Sequence, residues 1–119
     1  MGAALKVLVV EDDSTLREAL CDTIEYGGYR VWSACDGAAA LQQLERQPVD
    51  LIISDVQMAG MGGERLLREV RARSPELPFV MITAHGSVQH AVSAMRDGAT
   101  DYLLKPFAAE VLLEMLARF

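Results

Sequence analysis

Leu5-Lys6-Val7-Leu8-Val9-Val10-Glu11-Asp12-Asp13 is an apolar, β-branched run that stops abruptly in three acids. So short and so nearly continuous an apolar run predicts a strand covered on both faces, as in a parallel sheet. Beyond the acids, Leu16, Ala19, Leu20, Thr23 and Ile24 recur at helical spacing. Asp13, Ser14 or Thr15 can cap that helix, and Gly27-Gly28 can stop it. One β-α unit is therefore complete within the first thirty residues.

The same alternation continues to the end of the chain. Val31 to Ala34 reads as a second strand, and Ala38 to Arg46 as a helix with Asp36 as cap and Pro48 beyond its end. Leu51 to Ser54 is a third strand, followed by a loop with Gly60, Gly62 and Gly63 and by a helix marked by Leu66, Leu67 and Val70. Phe79 to Ile82 is the fourth strand. Val88, Ala91, Val92 and Met95 mark the fourth helix, stopped by Gly98. Tyr102 to Leu104 is the fifth strand, and a fifth helix is expected from Glu110 to the last residue, Phe119. Strands alternating with helices predict an α/β fold, a parallel sheet with helices on both faces.

Composition agrees with one globular unit. The chain has 119 residues, 51% hydrophobic and 24% charged, within the usual single-domain range of roughly 100 to 150 residues. Its net charge of −6 argues against sequence-independent binding to nucleic acid or to an anionic membrane, both of which need a basic surface. No apolar run approaches the ~20 residues that span a bilayer. Met1 to Lys6 lacks the pattern of a signal peptide, so a cytoplasmic location is expected. Cys21 and Cys35 have neither metal nor redox spacing and are expected to be small core side chains.

In an open parallel sheet, ligands bind beyond the carboxyl ends of the strands. Here those ends carry Glu11, Asp12 and Asp13, then Asp55, then Thr83, then Lys105-Pro106. Crowded carboxylates repel one another unless a cation lies between them, and a hard divalent ion such as Mg²⁺ suits carboxylate and carbonyl oxygens. An acidic metal pocket with a lysine and a hydroxyl can hold a phosphoryl group while a carboxylate attacks the phosphorus.

Val9-Val10-Glu11-Asp12-Asp13, Asp55-Val56-Gln57-Met58, Ile82-Thr83-Ala84 and Asp101 to Phe107 together resemble the receiver domains of two-component response regulators. The resemblance covers essentially the whole chain, implying one receiver domain over residues 1–119. It implies the flavodoxin-like (βα)5 strand order 2-1-3-4-5 that chemotaxis receivers share. It also implies that Asp55 accepts a phosphoryl group from a sensor histidine kinase. Asp12, Asp55 and the backbone carbonyl of Gln57 would bind Mg²⁺ directly, and Glu11 through water. Thr83 and Lys105 would hold the phosphoryl oxygens, Tyr102 would reorient as Thr83 moves, and the Lys105–Pro106 bond would be cis. Ala59, Gly60 and Gly62 depart from the family pattern, which commonly has proline after Met58, and predict a more mobile loop around Gln57.

Plainer readings stand beside these. Asp55, Lys105 and Thr83 taken singly are a surface acid, a surface lysine and a β-former; Tyr102 taken singly is half-buried packing. His85 and His90 lack a third ligand for a metal, although His85, close to Thr83, could tune water access to the pocket. Met58, Met61, Met81, Met95 and Met115 read as core and loop packing. An aspartyl phosphatase would need an acid where Gln57 stands, and a flavin module would need a phosphate loop where the three acids lie. A receiver unable to accept phosphate is disfavoured, because every reactive position holds a competent side chain.

His85-Gly86-Ser87 through Asp97-Gly98-Ala99, with Asp101 to Phe107, is similar to the receivers at the front of bacterial activators of σ54-dependent transcription. That similarity implies downstream AAA+ and DNA-binding domains, and flagellar or nitrogen genes as targets. Separately, phosphorylation is expected to change the face of the fourth helix, fifth strand and fifth helix, and to pair it in a homodimer. The alternative is a different output domain, or a free-standing receiver. Ending inside an expected helix, the sequence reads as part of something longer.

Overall fold

A computed structural model of the protein describes residues 4–83 and 88–119. Strands β1 (Lys6–Val10), β2 (Arg30–Ala34), β3 (Leu51–Asp55), β4 (Phe79–Thr83) and β5 (Asp101–Leu104) alternate with helices α1 (Ser14–Tyr26), α2 (Gly37–Arg46), α3 (Gly63–Arg73), α4 (Val88–Arg96) and α5 (Ala109–Leu116). All strand pairs are parallel, in the order β2-β1-β3-β4-β5.

Strand periodicity divides the core into two layers. Side chains alternate faces along a strand, so Leu8, Val10, Ile52, Phe79 and Met81 join Ala40 of α2 and Leu66, Leu67 and Val70 of α3 on one side. Val7, Val9, Ile53, Val80 and Ile82 join Leu20 and Ile24 of α1 and Leu112, Met115 and Leu116 of α5 on the other. Both layers are needed because β1, β3 and β4 are buried on both faces. Full burial of each such aliphatic side chain is worth roughly 1.5–3 kcal/mol.

Helix ends follow the side-chain chemistry. Asp13 accepts from the Leu16 N–H and Asp36 from the Ala39 N–H, one cap for each of the first two helices. Gly28, at φ 96°, makes the left-handed turn out of α1. Of the described helices, none is long and apolar enough to cross a membrane.

Three expectations are corrected. The fifth helix closes at Leu116 rather than running to Phe119, because the Arg118 and Phe119 N–H groups bond three residues back, to Met115 and Leu116, tightening the last turn. Helix α4 buries Ala91 and Ala94, which lets it approach the sheet closely, and leaves Val92 and Met95 facing outward. Met95 is therefore not core packing. Cys35 is exposed and Cys21 half-buried; Cys35 follows the last residue of β2, where the chain leaves the sheet for the Asp36 cap.

Candidate functional site

Strand register brings the site together. Val10 pairs with Ser54, Asp55 with Ile82, and Thr83 with Leu104. The residues at or just beyond these ends, Glu11, Asp55, Thr83 and Lys105, therefore share one edge of the sheet.

Glu11 is buried and tied at every polar group. Its N–H donates to Ala34 O at 3.1 Å, and its carbonyl accepts from Arg17 Nη1 at 2.7 Å. Its carboxylate accepts from the Asp13 N–H and lies 3.4 Å from Lys105 Nζ. Asp55 is buried as well, accepting from the Gln57 N–H at 3.2 Å on Oδ1 and from Lys105 Nζ at 2.7 Å on Oδ2. Asp12 is exposed and accepts from the Ala59 N–H at 3.2 Å. One carboxylate oxygen each from Glu11, Asp12 and Asp55 lie within 4.8 Å of one another.

The electrostatics are those of a site short of positive charge. Burial, then the hydrogen bond with Asp55 and its charge, push Glu11 up to about 7. The Ala59 N–H holds Asp12 below the usual carboxylate range. Burial works against the Lys105 ammonium, but the hydrogen bonds and charges of Asp55 and Glu11 outweigh it and raise its pKa. The three converging acids form a hard-oxygen donor set suited to a divalent cation of the Mg²⁺ class.

Thr83 is fully buried, and its Oγ1 has no hydrogen-bond partner among the described residues. The Lys105 N–H donates to Thr83 O at 2.7 Å, tying the two residues through the backbone. The Lys105–Pro106 bond is cis. Tyr102 is 39% exposed and is paired in register with Met81. Gln57 is exposed in the loop after Asp55. His85 lies outside the described residues. His90 stands apart on α4, its Nδ1 3.8 Å from Glu64 Oε1.

Sequence reasoning missed the supports of the site. Arg17 holds the Glu11 carbonyl, and the only hint was its place one turn into the first helix. The Ala59 N–H on Asp12 left no trace, because any residue but proline offers that donor. Gly63 lies so close to Asp55 that a β-carbon would collide with the Asp55 carbonyl oxygen.

A doubly wound (βα)5 domain with three acids and a lysine at one sheet edge is a narrow class. The response regulator receiver domain model matches residues 7–117, and the chain belongs to that family. It is 52% identical over 115 residues to the response regulator protein FleR of Pseudomonas aeruginosa, covering 97% of this chain and 24% of that one. It is 40% identical over 118 residues to the C4-dicarboxylate transport transcriptional regulatory protein DctD of Rhizobium meliloti, covering 99% and 26%. The crystal structure of the NtrX receiver domain from Brucella abortus superposes with a TM-score of 0.91 at 35% identity, covering 94% of this chain and 95% of that one. The chain thus spans about a quarter of the length of FleR and DctD.

Proposed function

We propose that this receiver domain is a phosphorylation switch whose acceptor is Asp55. The observation that carries the reading is Lys105 Nζ at 2.7 Å from Asp55 Oδ2, with Glu11 and Asp12 alongside. An Asp55 oxygen attacks the phosphorus of a phosphohistidine on a sensor kinase. The P–N bond breaks, its electron pair stays on the imidazole, which takes a proton, and an O–P bond forms on Asp55. Lys105 and the Thr83 hydroxyl, which has no partner among the described residues, hold phosphoryl oxygens. Asp12, Asp55 and the Gln57 carbonyl bind Mg²⁺, with Glu11 acting through water. The bound ion supplies the positive charge that lets a dianionic donor approach three acids. The domain catalyses its own phosphorylation and dephosphorylation rather than turning over an external substrate.

We further propose that α4, β5 and α5 form the face that changes and pairs with a second copy. Val92, Met95, Tyr102, Leu104 and Val111 are exposed there, and among the described residues only Tyr26 and Phe119 are large exposed hydrophobics elsewhere. Likeness to DctD, a transcriptional regulatory protein, supports an output in transcription control. Within that, a σ54-type activator with AAA+ and DNA-binding domains is the reading we favour. The test is intact-mass analysis after incubation with acetyl phosphate and Mg²⁺. The parent gains one phosphoryl group, and Asp55→Asn gains none; equal labelling of Asp55→Asn moves the acceptor elsewhere.

A further inference from the structure

Met61 and Gly37 meet where the start of α2 faces the loop between β3 and α3. The Gly37 N–H donates to Met61 O at 3.2 Å. A β-carbon on Gly37 would lie 2.7 Å from Met61 Cγ and 2.8 Å from both its Sδ and its carbonyl oxygen. Backbone and side chain of Met61 thus both rest on a surface that exists only because residue 37 has no side chain. Alanine suits a helix better than glycine, and the approach of Met61 excludes it here.

That contact is one of a few that fasten the loop between β3 and α3. At its base, the Gly63 N–H donates to Val56 O at 2.9 Å. Further along, the Ala59 N–H donates to Asp12 Oδ2 at 3.2 Å. Between Ala59 and Met61 stands Gly60, at φ 72°, in a backbone region that favours glycine and leaves the unfastened chain many alternatives. Without the Met61 seat, the stretch from Gln57 to Met61 would be held only by the Gln57 N–H on Asp55, the Ala59 N–H on Asp12 and the Gly63–Val56 bond at its base. Met61 is unbranched and half-buried, shaped to fill the cradle over Gly37 and the adjoining core.

We infer that Met61, seated on Gly37, is a positioning residue for the cation site: it pins the loop so that the Gln57 carbonyl and the Ala59 N–H are presented together with Asp12. The inference rests on the metal reading proposed above. It also explains how a loop containing Gly60 and Gly62 supplies a metal ligand without a stiffening residue of its own.

The experiment compares the parent with Met61→Ala, Met61→Leu and Gly37→Ala. Mg²⁺ affinity is measured by calorimetry, and amide hydrogen exchange on the metal-free protein. Losing an outer support of a metal ligand typically costs about 10-fold or more in affinity, and that loss is expected for Met61→Ala and Gly37→Ala. Met61→Leu, which keeps the bulk, is expected to stay near the parent. In the metal-free protein the Ala59 and Gly60 amides exchange faster in the first two variants, while those of Leu41 to Leu44 in α2 do not change. Unchanged affinity in Met61→Ala and Gly37→Ala overturns the inference. Equal acceleration along α2 also overturns it, making the pair a packing contact of the helix. A parent that binds no Mg²⁺ defeats the metal reading instead; the exchange of Ala59 then still decides whether Met61 pins the loop, and unaltered exchange overturns that.

Discussion

Lys105 Nζ lies 2.7 Å from Asp55 Oδ2 and 3.4 Å from Glu11 Oε1, so one ammonium serves two buried carboxylates. The pairing is unequal. Asp55 takes the short bond and Glu11 the long one, which leaves Glu11 as the group whose charge the site can least afford.

That inequality makes Lys105 a donor already aimed at the acceptor carboxylate. Removing a preorganised cationic donor of this kind typically costs about 100-fold in rate. Lys105→Ala is expected to slow labelling of Asp55 by acetyl phosphate by that order while leaving Mg²⁺ bound, since the lysine repels rather than ligates the cation. Rates followed by intact mass check this, and labelling at the parent rate contradicts it.

Glu11 gives the metal-free protein a stability that falls with pH. The folded state keeps its proton up to about 7, whereas the unfolded chain releases it near 4.5, so between those values the folded state binds more protons. The contribution is fully present below the unfolded value and is lost as pH rises through about 7. At roughly 1.4 kcal/mol per pK unit the loss is at most about 3 to 4 kcal/mol. Urea melts at pH 5 and at pH 8 measure it, and Glu11→Gln is expected to flatten the difference. A parent equally stable at both pH values contradicts the assignment.

Asp12 and Glu11 should differ as metal ligands. Asp12 is exposed and accepts one N–H, that of Ala59, whereas Glu11 is buried and engaged by both the Asp13 N–H and Lys105. Asp12→Asn is expected to weaken Mg²⁺ by at least about 10-fold and Glu11→Gln by less. Calorimetry on both decides, and equal losses contradict the distinction between direct and water-mediated binding.

The alternation of strands and helices and the convergence of Glu11, Asp12, Asp55, Thr83 and Lys105 were legible because each depends on where an apolar run ends, whereas the sheet order 2-1-3-4-5 came only with the family resemblance. Strand ends fall at one edge in a parallel sheet, so locating the runs located the site. What escaped the sequence depends on contacts between distant segments. The faces of α4 are one case: Val92 and Met95 look like its core stripe, yet Ala91 and Ala94 pack inward because close approach to the sheet favours the smaller side chains. The Met61 seat on Gly37 is another, since glycine at a helix start reads as nothing more than a weak helix former.

Thr83 should be what converts phosphorylation into association. Its hydroxyl is buried without a partner among the described residues, at the end of β4, and its carbonyl is tied to the Lys105 N–H at 2.7 Å. A phosphoryl group on Asp55 brings acceptor oxygens that such a donor lacks. Drawing Thr83 inward frees space that the Tyr102 ring, now 39% exposed, can fill. Lys105 tightens onto the same group, so β4 and β5 respond together and α4, whose Ala91 and Ala94 pack inward, follows them. Phosphate can shift this equilibrium only by interacting differently with two arrangements the protein already samples. Thr83→Ala is therefore expected to accept phosphate, more slowly, yet to remain monomeric where the parent associates. Hydrogen exchange and sedimentation, with and without beryllofluoride as a stable phosphoryl mimic, make the comparison. Protection changes in α4, β5 and α5 of the parent, absent from Thr83→Ala, bear the route out. Changes confined to α1, or association of Thr83→Ala as strong as the parent's, would mean that the signal leaves Asp55 another way.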